Sequence, residues 1–254
     1  MADMKRVLVP FLLAWLLAGT AHAADVTVAV AANFIAPMQK IVAAFEQDTR
    51  HHATLVSGST GSFYHQITHG APFDILLAAD DTTPARLERE GFAAPGSRFT
   101  YAVGQLVLWS SQSGFVDEGG GVLKSGRFDR IAIANPELAP YGTAAVQALT
   151  KLGLLAQVAP KFVQGENIAQ TYQFVATGNA PLGFVALSQV FEGGRIVRGS
   201  GWIVPAKLHA PIRQDAVMLG RARANAAAQA LMAYLRSAKA QAIVRSYGYE
   251  AGGG

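Results

Sequence analysis

The chain has 254 residues, of which 51% are hydrophobic and 15% are charged, and it contains no cysteine. The lack of cysteine excludes a disulfide framework, a thiolate-bound zinc or iron–sulfur site and thiol catalysis. A charged fraction well below the roughly 25% of average soluble domains argues against disorder and against a polyelectrolyte partner such as nucleic acid, even though the formal net charge is +4.

Residues 1–23 have the three parts of a secretory signal peptide. Lys5 and Arg6 give a positive start, an apolar stretch runs from Val7 to Ala18, and Ala21-His22-Ala23 is a small-x-small cleavage site. The apolar stretch is too short to span a membrane, which takes about 20 residues. We therefore expect cleavage after Ala23 and export of a soluble protein to the periplasm. Cleavage removes two basic residues and one acidic residue and so lowers the net charge from +4 to +3.

Strands and helices alternate through the first half of the remaining chain. Short apolar strands are followed by segments whose apolar residues recur at helical spacing. Asn33 lies between the first strand and the first helix and is predicted to cap that helix. The predicted elements are a strand at Val26–Val30, a helix at Ile35–Phe45, a strand at Ala53–Val56, a helix through Ile67 to His69, a strand at Asp74–Ala79, a helix at Asp80–Glu90 and a strand at Ala102–Trp109.

A second series of strands and helices begins at Arg130. The residues from Gly193 to Pro205 are predicted to be short and irregular, and Tyr247 and Tyr249 are predicted to pack at the end of the last helix. The predicted elements are strands at Arg130–Asn135, Lys161–Gly165, Leu182–Leu187 and Gln214–Leu219, and helices at Thr143–Leu152, Ile168–Thr177, Ala222–Leu235 and Lys239–Tyr247.

This alternation predicts parallel βαβ units and the α/β class. Continuous apolar strands such as Asp74–Ala79 are typical of sheets that are covered on both faces. Two series of units followed by two closing helices favour two lobes over one long sheet.

The turns that join strands to helices carry the functional signal. In such folds ligands bind beyond the carboxyl ends of parallel strands, where helix N-termini offer unpaired N–H groups. These turns are rich in small residues with hydroxyl or amide groups and contain no Lys or Arg, which suits a small, fully ionised oxyanion. Capping alone would explain any single turn, but one of them supplies more hydroxyls than a cap needs. The turns are Ala32-Asn33, Ser57–Ser62, Ala139–Gly142 and Glu166–Ile168, with Glu166 as their only charge.

Other kinds of site have weaker support. The turn Ser57–Ser62 lacks the Gly-Lys-Ser/Thr ending of a nucleotide-binding loop. A hydrolase built on Ser59 or Ser62 with His65 stays an alternative, although no G-x-S-x-G motif marks a nucleophile. A metal site at His65 and His69 also stays open, although no third ligand lies nearby in sequence.

Six segments spread along the mature chain carry one family pattern: VAVAANF (28–34), SGSTGSFYHQI (57–67), GAPFDILLAAD (70–80), GFAAPGSRFTYAVGQLVLWS (91–110), IANPELAPYGTAA (133–145) and APLGFVAL (180–187). With these segments the chain resembles the periplasmic molybdate-binding proteins of ATP-driven oxyanion importers. The segments at 70–80 and 133–145 are the specific ones.

The resemblance implies a two-lobed periplasmic-binding-protein fold of type II, with a mainly parallel sheet in each lobe and two crossover strands. Lobe 1 would comprise residues 24–104 and 213–254, and lobe 2 residues 105–212. The cleft between them would bind molybdate or tungstate through neutral hydrogen-bond donors, and the protein would deliver the anion to a membrane ABC permease. The resemblance further implies a monomer that is no enzyme, needs no cofactor and binds no nucleic acid, and whose only metal is the molybdenum or tungsten of its ligand.

The family pattern assigns the oxyanion contacts, with Ser59 and Gly61 as a second line, to five positions: Ala32, Asn33, Thr60, Tyr141 and the backbone N–H of Ile168. Two departures from the pattern stand out. Ala32 offers no hydroxyl where some relatives have one, and Ala186 stands where others have a ligand-binding Tyr.

The charge state of the ligand sets the kind of contact to expect. A doubly charged oxyanion without a proton needs donors only, whereas phosphate can carry a proton and tolerates an acceptor. A sulfate- or phosphate-type binder is the alternative within this class.

Overall fold

The computed structural model describes residues 24–252. The predicted signal peptide, residues 1–23, lies outside the described residues, so its cleavage after Ala23 stays a prediction. Within residues 24–252, no helix combines the length and the apolar character that crossing a membrane requires.

The described chain alternates between strands and helices, as predicted. The strands are β1 (Asp25–Ala31), β2 (His52–Gly58), β3 (Ile75–Leu77), β4 (Phe99–Gly104), β5 (Leu106–Ser110), β6 (Ile131–Ala134), β7 (Phe162–Gly165), β8 (Leu182–Ala186), β9 (Phe191–Glu192), β10 (Arg195–Ile196), β11 (Ser200–Ile203), β12 (Ile212–Met218) and β13 (Glu250–Ala251). The α-helices are α1 (Ile35–Thr49), α2 (Thr60–Thr68), α3 (Thr82–Arg89), α4 (Val122–Ser125), α5 (Pro140–Lys151), α6 (Leu155–Val158), α7 (Ile168–Ala176), α8 (Ala226–Tyr234) and α9 (Ala238–Ser246). Short 3-10 turns lie at Ala32–Phe34, Ala159–Lys161, Leu187–Gln189, Ala206–Leu208 and Gly220–Ala222.

The first sheet has the strand order β13-β4-β12-β3-β1-β2. Strand β1 pairs in parallel with β2 and β3, so that Val28 lies opposite Leu55 on one side and Ile75 on the other. Strand β12 runs antiparallel to β3 and β4, and β13 runs antiparallel to β4. The three parallel strands therefore present their carboxyl ends at the same edge of the sheet.

The second sheet has the order β11-β5-β8-β6-β7. Strand β6 is parallel to β7 and β8, whereas β5 is antiparallel to β8 and β11. Strands β9 and β10 form a separate hairpin.

The chain passes from the first sheet to the second between Gly104 and Leu106 and returns between Ile203 and Ile212. The α/β class is confirmed, and both sheets are mixed, because strands on either side of each passage run antiparallel to their neighbours. The division into lobes at residues 24–104 plus 213–254 and 105–212 stays a prediction.

The prediction of one strand at Ala102–Trp109 is wrong. Gly104 pairs with Ile212 in the first sheet, and Leu106 pairs with Ala186 in the second. The apolar pattern continues through the passage and so gives no sign that the chain changes sheets at Gln105.

Two other boundaries also differ from the prediction. Helix α5 begins at Pro140 instead of Thr143, because proline suits the first helical position, where no intrahelical N–H is needed. Tyr141 therefore lies in the first helical turn. Residues Ser200–Ile203, predicted to be irregular, form β11, in which Trp202 pairs with Leu108.

Helices cover both faces of each sheet, as the continuous apolar strands indicate. In the first sheet, Val28 and Val30 face α1, α8 and α9, whereas Ala29 faces α2 and α3. In the second sheet, Leu108 packs towards α5 and Trp109 towards α7. These cores fix the carboxyl ends of the parallel strands of both sheets, where the turns to the helices begin.

Candidate functional site

A small cavity lies at the carboxyl ends of the parallel strands, between the two sheets. All four predicted turns contribute to it. Ala79, which follows β3, also lines the cavity. Sequence patterning did not single out Ala79, although ligands bind beyond the carboxyl ends of parallel strands and β3 is one of these strands. The lining residues, none of which is charged, are Ala31, Ala32, Asn33, Gly58, Ser59, Thr60, Ala79, Ala139, Pro140, Tyr141, Asn167 and Ile168.

Helix α2 begins at this cavity with one N–H group left over. The hydroxyl of Ser59 caps the helix by accepting the N–H of Ser62, at 3.3 Å. The N–H of Gly61 donates to the carbonyl of Leu138, at 2.9 Å, in the turn that leads to α5. This hydrogen bond links the start of α2, after β2 of the first sheet, to the turn after β6 of the second. Gly61 itself lines a neighbouring groove and not the cavity. The remaining N–H, that of Thr60, has no protein acceptor in the described part of the chain.

Helices α7 and α5 begin in the same way. The side chain of Asn167 accepts the N–H groups of Ala169 and Gln170, so that the N–H of Ile168 remains without an acceptor among the described residues. In α5, Pro140 has no N–H and Gly142 donates to the carbonyl of Ala139, which leaves the N–H of Tyr141. Thr60, Tyr141 and Ile168 are buried, with 1%, 1% and 3% of their surface exposed. Three buried N–H groups, at the positive ends of three helices, thus have no acceptor among residues 24–252.

The hydroxyl of Thr60 adds a side-chain donor. Its oxygen accepts the N–H of Ala79 at 2.9 Å. This bond fixes the oxygen while leaving the hydroxyl proton for another acceptor.

The prediction that Asn33 caps α1 is wrong. Phe34 occupies the cap position, and a 3-10 turn at Ala32–Phe34 precedes the helix. The side-chain amide of Asn33 donates instead to Gln214 Oε1 and to the hydroxyl of Tyr249, both at 2.9 Å. Partners brought by the far end of the chain thus take both amide hydrogens.

Gln214 connects Asn33 to Tyr141. It is fully buried in β12, its Oε1 also lies 3.0 Å from the hydroxyl of Tyr101, and its Nε2 donates to the hydroxyl of Tyr141 at 3.1 Å. Burial raises the pKa of Tyr101 and of Tyr141 well above the usual value, so both keep their protons. Sequence patterning missed Gln214, because a single Gln between Arg213 and Asp215 matches no motif.

Tyr249 and Ser188 complete this polar network. The backbone carbonyl of Asn33 accepts hydrogen bonds from Tyr249 Oη at 2.8 Å and from Ser188 Oγ at 2.9 Å. Tyr249 does pack its ring against Phe34, but its hydroxyl has a polar role that the sequence did not indicate. Burial raises the pKa of Tyr249 to about 12.

An adjoining groove contains charged side chains, among them Asp80, Asp81, Glu137 and Arg213. Asp80 accepts the backbone N–H and the hydroxyl of Thr83, at 2.7 and 3.0 Å. Burial raises the pKa of the Asp80 carboxyl, and the bonds from Thr83 oppose that shift in part.

The alternative sites are not supported. The Ser59 hydroxyl bonds to that of Ser62 at 2.7 Å, and among the described residues no hydrogen bond joins either serine to a histidine. His65 on α2 and His69 directly after it are both exposed, and His69 Nδ1 contacts the His65 carbonyl. Residues 24–252 contain no group of three or more His, Cys, Asp or Glu side chains that could hold a metal ion.

Comparison with known proteins gives consistent matches over most of the chain. A family model described as bacterial extracellular solute-binding protein matches residues 26–250. The molybdate-binding protein ModA of Azotobacter vinelandii is 58% identical over 236 residues, which cover 93% of this chain and 94% of the relative. That of Rhodobacter capsulatus is 49% identical over 235 residues, or 92% of this chain and 91% of the relative. A solved structure of a periplasmic molybdate-binding protein from Azotobacter vinelandii matches with a TM-score of 0.86 and 41% identity, covering 89% of this chain and 98% of its own.

The substitution Asp80→Asn is expected to raise the free energy of unfolding at pH 7. Because the folded pKa of Asp80 lies above the unfolded value, the carboxyl favours folding fully below the unfolded pKa, and that contribution is lost as the pH rises through the folded pKa. Asn removes the partly buried charge and can still accept the N–H of Thr83. Urea unfolding at pH 7 and pH 3 should show the gain at pH 7 only.

Asp81→Asn is the matched control, since that side chain is 42% exposed. It should change stability little at either pH. A lower stability of Asp80→Asn at pH 7 would contradict the prediction.

Proposed function

The chain belongs to the family of bacterial extracellular solute-binding proteins, and we propose that it captures molybdate in the cavity between its two sheets and delivers it to an ATP-driven importer. It is a binding protein and not an enzyme. One observation carries the ligand assignment: a chain 58% identical to a molybdate-binding protein has a buried cavity in which three N–H groups lack an acceptor among residues 24–252.

The chemistry of the cavity suits a dianion. Each buried N–H without an acceptor destabilises the closed protein by about 1–3 kcal/mol. A tetrahedral oxyanion with no proton offers acceptors in every direction, and helix N-termini stabilise its charge without Lys or Arg. Neutral donors also avoid the desolvation that buried cations would need.

We place the ligand contacts at five residues. Thr60 contributes its hydroxyl and N–H, and Tyr141 and Ile168 contribute N–H groups. Asn33 and Ala32 contribute through the backbone, because both amide hydrogens of Asn33 are used within the protein and Ala32 has no polar side chain. Ser59 and Gly61 act indirectly, Ser59 as the cap of α2 and Gly61 through its bond to Leu138.

We infer that residues 24–104 plus 213–254 and residues 105–212 form two lobes that close around the anion. The donors come from both: Thr60 from the first, Tyr141 and Ile168 from the second. Closure without an anion would bury these donors unpaired, so the ligand favours the closed form, whose surface is then presented to the permease.

The finer assignments follow the same reasoning. Tungstate has the same charge and shape as molybdate and uses the same donors. We place the protein in the periplasm as a monomer, with residues 1–23 as a signal peptide cleaved after Ala23, and assign it neither a cofactor nor a nucleic-acid partner.

Titration calorimetry of residues 24–254 with molybdate, tungstate, sulfate and phosphate tests the ligand. Molybdate and tungstate should bind one per chain. Sulfate is smaller, and leaving one buried donor unpaired would weaken its binding by about 1–3 kcal/mol, or roughly 5- to 150-fold. Tighter binding of sulfate or phosphate than of molybdate would refute the assignment. Turnover of an ester substrate would favour the hydrolase.

Thr60→Val is expected to weaken molybdate binding by about 1–3 kcal/mol, because it removes the hydroxyl donor and leaves the N–H of Ala79 unpaired. Thr60→Ser keeps the hydroxyl and is the matched control, with nearly wild-type affinity. Equal affinities of the Val and Ser variants in calorimetry would show that the hydroxyl does not contact the ligand.

Ile168→Pro tests a backbone donor directly. Proline is tolerated at the first position of a helix and removes only the N–H at issue, and Asn167 has the extended conformation that a residue before proline adopts. We expect molybdate affinity to fall roughly 10- to 100-fold, since a charge-assisted hydrogen bond is lost. Ile168→Val, which trims the side chain but keeps the N–H, should bind almost normally. Unaltered affinity of the Pro variant would remove Ile168 from the site.

A further inference from the structure

The carbonyl of Asn33 is held from two directions. Ser188 lies in the 3-10 turn Leu187–Gln189, which follows β8 of the second sheet. Tyr249 directly precedes β13 of the first sheet. Both hydroxyls reach the same carbonyl oxygen and lie 3.0 Å from each other.

These three groups are closed off from solvent. Asn33, Tyr249 and Ser188 are 3%, 5% and 7% exposed. The ring of Tyr249 packs edge-on against Phe34, with centroids 5.4 Å apart, which fixes the position of its hydroxyl. A serine and a tyrosine hydroxyl in such surroundings need a partner, and each finds it at Asn33.

We propose that Ser188 and Tyr249 form a latch with the Asn33 carbonyl that holds the ligand-binding turn in place when the lobes close, making both side chains positioning residues for the anion. This inference rests on the proposed function. Neither side chain lines the cavity, so they act through Asn33 and not by touching the ligand.

The latch depends on closure because its members come from different sheets. Asn33 lies in the turn after β1 and Tyr249 directly before β13, both strands of the first sheet, whereas Ser188 follows a strand of the second. Separation of the lobes would break both bonds of Ser188 and expose its hydroxyl to water. Ser188 therefore stabilises the closed form over the open form, and in that way slows release of the ligand.

The latch and the bond from Gly61 to Leu138 border different grooves. The bond from Gly61 to Leu138 borders the groove that contains Asp80. Ser188 borders a different groove that includes Lys40 and Phe191. Contacts on two sides of the cavity resist opening better than one pair alone, since a single contact leaves the lobes free to pivot about it.

The test compares Ser188→Ala with Ser110→Ala. Ser110 is fully buried and donates to the carbonyl of Pro181, so its bond lies within the second lobe. Molybdate affinity and release rate are measured on residues 24–254 by calorimetry and stopped-flow mixing, and the stability of the ligand-free protein by urea unfolding.

For Ser188→Ala we expect molybdate binding weakened about tenfold, mainly through faster release, with the stability of the ligand-free protein unchanged. Ser110→Ala should show the reverse: lower ligand-free stability and normal affinity. Tyr249→Phe keeps the ring and should also speed release, and the double variant should lose less than the two single effects combined, because the hydroxyls share one acceptor.

Each failure has its own signature. Wild-type binding and release in Ser188→Ala would overturn the latch while leaving the proposed function intact. Reduced ligand-free stability with unchanged affinity in Ser188→Ala would assign it a purely structural role and also overturn the latch. Absence of molybdate binding by the wild-type protein would overturn the proposed function and the latch together.

Discussion

The buried N–H groups of Thr60, Tyr141 and Ile168 determine what kind of ligand the cavity can bind. Each stands at a helix start whose neighbouring donors are satisfied, by Ser59, Asn167 and the carbonyls of Leu138 and Ala139. Buried backbone donors in proteins almost always have partners, so three exceptions around one cavity indicate a partner from outside. That partner must supply acceptors on several sides at once. A small oxyanion does so, and the same requirement explains why the cavity needs neither cations nor carboxylates.

Binding by backbone groups requires the two sheets to come very close together. At Gly61, a Cβ atom would lie 2.9 Å from the Cα of Leu138, so only glycine permits the bond between them. At Gly104, where the chain leaves the first sheet, a Cβ would collide with the hydroxyl of Tyr141. Glycine at these two places lets the backbone segments near the cavity approach each other closely.

The sequence predicted the α/β class and the four turns, because periodicity and the position of a turn after a strand are local properties. It also led to Thr60, Tyr141 and Ile168 through the family pattern, and the structure brings these residues together. It did not reveal the role of Gln214, Tyr249 or Ser188, since each acts through partners more than 60 residues away in the chain. Asn33 shows the same limit: a local rule makes it a helix cap, whereas distant partners take its amide. The change of sheet at Gln105 was invisible because both strands are equally apolar.

The network behind the cavity joins the two ends of the described chain. Asn33 meets Gln214 across 181 residues and Tyr249 across 216. Contacts between such distant positions form late, because closing a long loop is entropically unfavourable. Order of assembly follows from this arrangement: β1 can pair with β2 and β3 early, yet the turn after β1 acquires its supports only when the last strand arrives. The binding site is therefore complete only once the last strand of the chain has been made.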